Sequence, residues 1–196
     1  AGLEEPTKGE ICLDGRELHG PDRAIGMVFQ KKALLPWKTV MQNVEFGPQM
    51  AGVPKGERRK TAQKFIDLVG LTGFEKSYPH QISGGMKQRV GIARAYANNP
   101  EILILDDSSS ALDFATDAKL RKAVHNLEGN TTTFLVSQRI AGIRQADQIL
   151  VLGNGTLEGN GTHDELMKTC EVYREIYFSQ FPEERAAYNN ESGVIA

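Results

Sequence analysis

The sequence predicts an α/β domain in which a mostly parallel sheet is interrupted by an inserted helical segment. Three observations carry that class. Ile102-Leu103-Ile104-Leu105 and Phe134–Val136 are short continuous apolar runs, the pattern of strands buried on both faces of a parallel sheet. Ahead of them, Ala62, Phe65, Ile66 and Val69 recur at i, i+3, i+4 and i+7, which is the spacing of one helix face. From Pro100 onward the order reads strand, helix, strand, helix, strand, and parallel strands need such crossovers. With 196 residues, 40% of them hydrophobic, the chain can bury one globular core.

Residues 9–30 read as strands. Glu10-Ile11-Cys12-Leu13 runs into the turn pair Asp14-Gly15, and Ala24-Ile25-Gly26-Met27-Val28-Phe29 leads to Gln30. The helix through Ala62 stops at Gly70. A second helix starts near Ser83, places Met86, Val90, Ala93 and Ala97 on one face, and ends at Asn98-Asn99-Pro100. Asp117–Leu127 reads as the crossover helix between the two apolar strands. Gln148–Leu152, the turn Gly153-Asn154-Gly155 and Thr156–Glu158 read as a hairpin. Thr162-His163-Asp164-Glu165 is a capping box opening the next helix. The last fifteen or so residues, rich in Glu, Asn and Ala, are expected to be a poorly ordered tail.

Composition removes several function classes. The formal net charge is −2, which argues against a nucleic-acid groove or a polybasic membrane patch. Apolar runs reach only a few residues, far short of the roughly 20 that a membrane span needs, and no signal peptide opens the sequence. Cys12 and Cys170 lie far apart, outside any C-x-x-C spacing, and are expected to be reduced structural thiols. His19, His80, His125 and His163 show no ligand spacing and are expected at the surface.

The segment richest in chemistry is Ile82-Ser83-Gly84-Gly85-Met86-Lys87-Gln88-Arg89. A hydroxyl and two glycines at a helix start offer N–H groups where the helix dipole is positive, which suits an anion. A plain N-cap followed by two flexible glycines explains the same three residues. Asp106 and Asp107 end the strand Ile102–Leu105, at the edge where open α/β sheets bind ligands, although a helix cap would also use them. Gln30 and Gln138 each follow a strand.

Together with Ser110-Ala111-Leu112-Asp113, these segments resemble the ATP-binding cassette (ABC) transporter ATPases over residues 1 to about 180. The octet at 82–89 looks like the family signature, Ser110–Asp113 like its D-loop and Gln30 like its Q-loop glutamine. Gln138 stands at the position of its switch histidine. The resemblance implies a RecA-like P-loop NTPase core, formed by residues 1–30 and 95–180. A helical subdomain at 31–94 would carry the signature, and residues 181–196 would be a tail.

Several site roles are implied in the same way. Asp106 and Gln30 would hold Mg²⁺, and Asp107, Gln138 and Gln30 would be the catalytic positions. Ser83, Gly84, Gly85, Met86, Lys87 and Asp113 would contact ATP. The implied partners are a transmembrane subunit or domain and a second nucleotide-binding domain paired head to tail. The implied location is the cytoplasmic face of the membrane, peripherally attached.

The sequence departs from the family pattern in three places. No G-x-x-x-x-G-K-[ST] occurs in the 196 residues, nor the upstream strand with its adenine-stacking aromatic, so the chain is expected to be a fragment. Asp107 replaces the usual glutamate and Gln138 the usual histidine. Aspartate sets the carboxylate back by roughly 1.5 Å, and glutamine cannot take up a proton near neutral pH. That pair resembles the degenerate subunit of heterodimeric exporters. Finally, residues 1 to about 100, including Leu34-Leu35-Pro36-Trp37, look like nitrate, sulfonate or taurine importer ATPases. Residues from about 101, including Val172–Pro182, look like multidrug-type exporters. Two functions therefore stand open: an ATPase that powers transport, or a catalytically weak clamp that completes a partner's site.

Overall fold

The computed structural model describes residues 1–30, 34–106 and 131–192, which form two compact units, Ala1–Val136 and Ser137–Ala196. In the first unit, β1 (Cys12–Leu13) and β2 (Arg16–Glu17) pair as a hairpin across Asp14-Gly15. β3 (Ile25–Val28), β4 (Ile102–Asp106) and β5 (Thr132–Val136) then form a three-stranded sheet in the order β3-β4-β5, parallel throughout. Its register pairs Val28 with Leu105 and Asp106 with Val136, so all three strands end at one edge.

The segment between β3 and β4 is helical: α1 (Val40–Val44), α2 (Phe46–Met50), α3 (Lys55–Leu68), a short 3₁₀ turn at Pro79–Gln81, and α4 (Gly84–Tyr96). Gly70 adopts φ +66°, the left-handed conformation that ends a helix cheaply when no Cβ is present. Its N–H bonds the carbonyl of Asp67 at 3.0 Å, and the Leu71 N–H bonds that of Ile66 at 2.9 Å. Ile66 and Leu71 are both fully buried, closing the apolar contact that accompanies this stop. One aliphatic cluster runs from Val40, Val44 and Ile66 through Val90 and Ile92 to Val28 and Leu103, so helices and sheet share a core.

Burial of the strands differs from the sequence expectation. Leu103 of β4 is fully buried, whereas Phe134 and Val136 of β5 are 50% and 54% exposed. Among the described residues β5 has a ladder partner on one side only, so an apolar run there does not mean burial on both faces.

The second unit opens with α5 (Ile140–Ile143), followed by the hairpin β6 (Ile149–Gly153) and β7 (Thr156–Gly161). Asn154 and Gly155 turn it with φ of +50° and +80°, as a two-residue hairpin loop requires. Next come α6 (His163–Thr169), α7 (Glu171–Gln180) and α8 (Pro182–Ser192). Thr162 and Glu165 close the expected capping box. The expected disordered tail is instead helical through Ser192. Pro182 begins that helix, Glu183 and Glu184 favour its first turn, and Tyr188 donates to the Met167 carbonyl at 2.7 Å. No helix among the described residues is long and apolar enough to cross a membrane.

Candidate functional site

At the strand edge, Asp106 is the last residue of β4 and is half-buried. Gln30 lies two residues past Val28, the end of the neighbouring parallel strand, and is exposed. Because Val28 pairs with Leu105, Gln30 stands one register step beyond Asp106. The sheet thus brings a carboxylate and a carboxamide to the same edge, both offering oxygen donors. Asp107 and Asp113, like the crossover helix at 117–127 and His125, lie outside the described residues.

At the start of α4, Ser83 has the extended backbone of an N-cap, and its Oγ accepts from the Met86 N–H at 3.3 Å. The capping function is therefore real. It occupies one of the first-turn N–H groups, while those of Gly84 and Gly85 have no acceptor within the helix by its geometry. The Lys87 N–H bonds the Ser83 carbonyl at 3.0 Å, as a continuing helix requires. Arg89 has a structural task that the motif alone does not reveal. Its Nη1 donates to the carbonyls of Val69 and Gly70 at 2.9 and 3.2 Å, capping the end of α3 and fixing it against α4.

Within α1, Asn43 is completely buried and holds the loop that precedes the helix. Its Oδ1 accepts from the Leu35 N–H at 2.9 Å, and its Nδ2 donates to the carbonyls of Leu35, Lys38 and Thr39 at 2.9–3.1 Å. Trp37 rides on that loop, 70% exposed. The signal for Asn43 was present in the sequence, as a polar side chain between Val40 and Val44 on an otherwise apolar face.

Gln138 belongs to the second unit, with its side chain exposed. Its neighbours are pinned: the Arg139 N–H donates to Ser137 Oγ at 3.0 Å. His163 corrects the expectation of a surface residue. It is only 9% exposed, its Nδ1 lies 2.9 Å from the Tyr173 hydroxyl, and it packs edge-on against that ring. Burial, with the Arg144 charge adding to it, holds the His163 imidazole below its ordinary pKa. Burial likewise pushes the Tyr177 hydroxyl up to about 12, assisted by its hydrogen bond to Glu184. His19 and His80 are exposed as expected, His19 near Glu17 and His80 stacked on Tyr78. An open depression of about 460 Å³ lined by Arg144, Gln145, Ala146, Thr162, His163 and Asp164 contains none of the expected site residues.

Fold and strand edge together define a RecA-like P-loop NTPase core carrying an inserted helical subdomain. A family model described as ABC transporter matches residues 1–110, a little over half of the chain. The chain belongs to the ABC transporter family. It is 45% identical over 155 residues to an uncharacterised ABC transporter ATP-binding protein of Methanocaldococcus jannaschii, covering 78% of this chain and 58% of that one. It is 48% identical over 122 residues to a nitrate import ATP-binding protein of Synechocystis, covering 62% and 46%. The chain thus spans about half the length of these curated relatives.

Two solved structures share the fold. One is a bacterial Atm1-family ABC exporter with ATP bound, at TM-score 0.75 and 29% identity, over 90% of this chain and 32% of that one. The other is a dimeric ATP-binding cassette in a post-hydrolysis state bound to ADP and Pi. It matches at TM-score 0.72 and 32% identity, over 82% of this chain and 76% of that one.

Proposed function

We propose that this chain forms part of the ATP-binding and ATP-hydrolysing cassette of an ABC transporter, coupling ATP-dependent closure of a head-to-tail dimer to substrate movement across a membrane. The observation that carries the reading is the placement of Asp106 and Gln30 at the ends of neighbouring parallel strands, the edge at which open α/β sheets receive ligands. A carboxylate and a carboxamide oxygen suit a hard cation that keeps most of its shell for water and phosphate, as Mg²⁺ does. Bound there, Mg²⁺ would neutralise charge on the nucleotide's phosphates.

In this reading Asp106 and Gln30 orient the nucleotide's phosphate end, and Asp107 stands beside the attacking water. Gln138 faces the γ-phosphate, and Asp113 contacts ATP. Ser83, Gly84, Gly85, Met86 and Lys87 present the α4 start to the partner domain's nucleotide. No G-x-x-x-x-G-K-[ST] occurs in residues 1–196, so this reading supposes a separately supplied phosphate-binding loop. The remaining partner is a transmembrane subunit or domain, which places the cassette peripherally at the cytoplasmic face. Proteins of import and of export both resemble this chain, and this reading leaves the direction of transport open.

A second reading is favoured by Asp107 and Gln138, which stand where the family has glutamate and histidine. There the chain binds ATP and closes, yet its own site cleaves slowly while its signature completes the partner's. Both readings require the signature to work in trans. Ser83→Arg in the reconstituted transporter, with a cysteine pair reporting closure, is expected to reduce the ATP-driven cross-link to its level without ATP. Undiminished cross-linking would leave Ser83 a helix cap and nothing more.

A further inference from the structure

We propose that Gln180, at the last turn of α7, is a positioning residue for Gln138: its carboxamide grips the chain on both sides of Arg139 and fixes the stretch that carries the Gln138 side chain. Its Nε2 donates to the Gln138 carbonyl at 2.8 Å, and its Oε1 accepts from the Ile140 N–H at 3.0 Å. Ile140 is the first residue of α5, whose N-cap, Arg139, makes no side-chain capping bond. The first N–H groups of any helix lack intrahelical acceptors, and here one is satisfied by a side chain 40 residues downstream. Ser137 Oγ takes the Arg139 N–H, so consecutive backbone groups from 138 to 140 are tied down.

The grip has a firm base. α7 is seated by Tyr173, Tyr177 and Phe178, all buried, and the Phe181 N–H bonds the Tyr177 carbonyl at 2.9 Å, keeping the turn at Gln180 wound. On the other side Ile140 is buried in the same cluster. The chemistry suits glutamine, because a carboxamide at that reach supplies an acceptor and a donor at once. Glutamate keeps the acceptor for Ile140 but sets a carboxylate against the Gln138 carbonyl. Leucine supplies neither. Gln180 thereby links the packing of the C-terminal helices to the one described residue of the second unit assigned to the nucleotide.

The inference rests on the proposed role of Gln138, and two readouts separate them. The first is amide exchange in the intact protein. Gln180→Leu is expected to speed exchange at Ile140 about tenfold, the effect of losing a typical hydrogen bond, while Leu166 and Arg174 stay as in the parent. Gln180→Glu, which keeps the acceptor and serves as the comparison should the leucine variant fail to fold, is expected to stay near the parent at Ile140. Unchanged exchange at Ile140 in Gln180→Leu would overturn the proposal.

The second readout is single-turnover ATP cleavage by the intact transporter, measured for Gln180→Leu, Gln138→Ala and the double variant. The expected result is that Gln180→Leu alters the rate in the parent and adds nothing once Gln138 is alanine. Equal effects in both backgrounds would make Gln180 a general stabiliser and overturn positioning. If Gln138→Ala leaves cleavage untouched while Ile140 exchange still rises, the grip stands and the nucleotide role of Gln138 falls.

Discussion

The two units of this chain share aliphatic cores, but only the second adds a cluster of rings with polar handles. In residues 1–136 the core is aliphatic, from Val28 through Val44, Ile66 and Val90 to Leu103, with Tyr96 its one buried ring among the described residues. In residues 137–196 the aliphatic members Ile140, Ile149, Val151 and Leu166 are joined by Tyr173, Tyr177 and Phe178, which surround a buried histidine, with Arg144 lying over the Tyr177 ring. An aliphatic core is indifferent to pH and holds through shape. A core of rings with polar handles also needs its hydroxyl and imidazole partners in place. The first unit should therefore respond mainly to lost volume or to an orphaned amide, and the second to lost hydrogen bonds and to acid.

The largest effect belongs to Tyr173. Truncation to alanine removes a buried ring together with the partner of His163 and is expected to cost about 3–5 kcal/mol in denaturant titration. Tyr173→Phe, which keeps the ring and strands the imidazole, is expected to cost about 1–2 kcal/mol. Equal losses from both variants would mean that the hydroxyl, not the ring, holds the unit.

Asn43 is the counterpart in the first unit. Asn43→Ala leaves the Leu35 N–H and three carbonyls without their buried partner and is expected to cost about 2–3 kcal/mol. Emission from the single tryptophan, Trp37, should change alongside, since the loop that carries it is released. A variant as stable as the parent, with an unaltered spectrum, would show that the loop holds its shape unaided.

The smallest expected effect is the pH response. The folded state depresses the His163 pKa below that of the unfolded chain, near 6.5, so the unfolded state binds the proton more readily. Stability from this group is fully present above pH 6.5 and declines as the pH falls below it. Melting curves between pH 7.5 and 5.5 are expected to drop more steeply for the parent than for His163→Gln. Parallel slopes would remove His163 from the account.

The same comparison explains what could be read from the sequence. Signals that close within about four residues were legible: the Ser83 cap, the Gly70 stop, the Asn154-Gly155 turn and the Thr162–Glu165 box all form where their spacing put them. Contacts spanning greater separations were not. His163 is buried by a ring ten residues away, the Gln138 segment is held from position 180, and Arg89 caps a helix that ends twenty residues earlier. Phe134 and Val136 show the same limit. An apolar run announces a strand, while burial depends on what covers its faces, which a linear pattern does not encode. At the candidate site, the sequence showed that Asp106 ends one strand and that Gln30 follows another, while the pairing that sets those two strands side by side is a long-range contact the linear pattern does not encode. Asp107 and Asp113 lie outside the described residues, so their roles remain expectations of the sequence.

The two proposed readings part at one point: whether this cassette, once it has bound ATP and closed, cleaves slowly at its own site, with Asp107 and Gln138 standing where the family has glutamate and histidine. The most direct test is single-turnover ATP cleavage at that site, with a matching phosphate loop supplied and the partner's site disabled. A well-placed general base is worth about 10²–10⁴ in rate. Asp107→Glu combined with Gln138→His is expected to recover much of that factor, and more than either change alone. A parent that already cleaves as fast as the double variant would contradict the account and make this an ordinary ATPase.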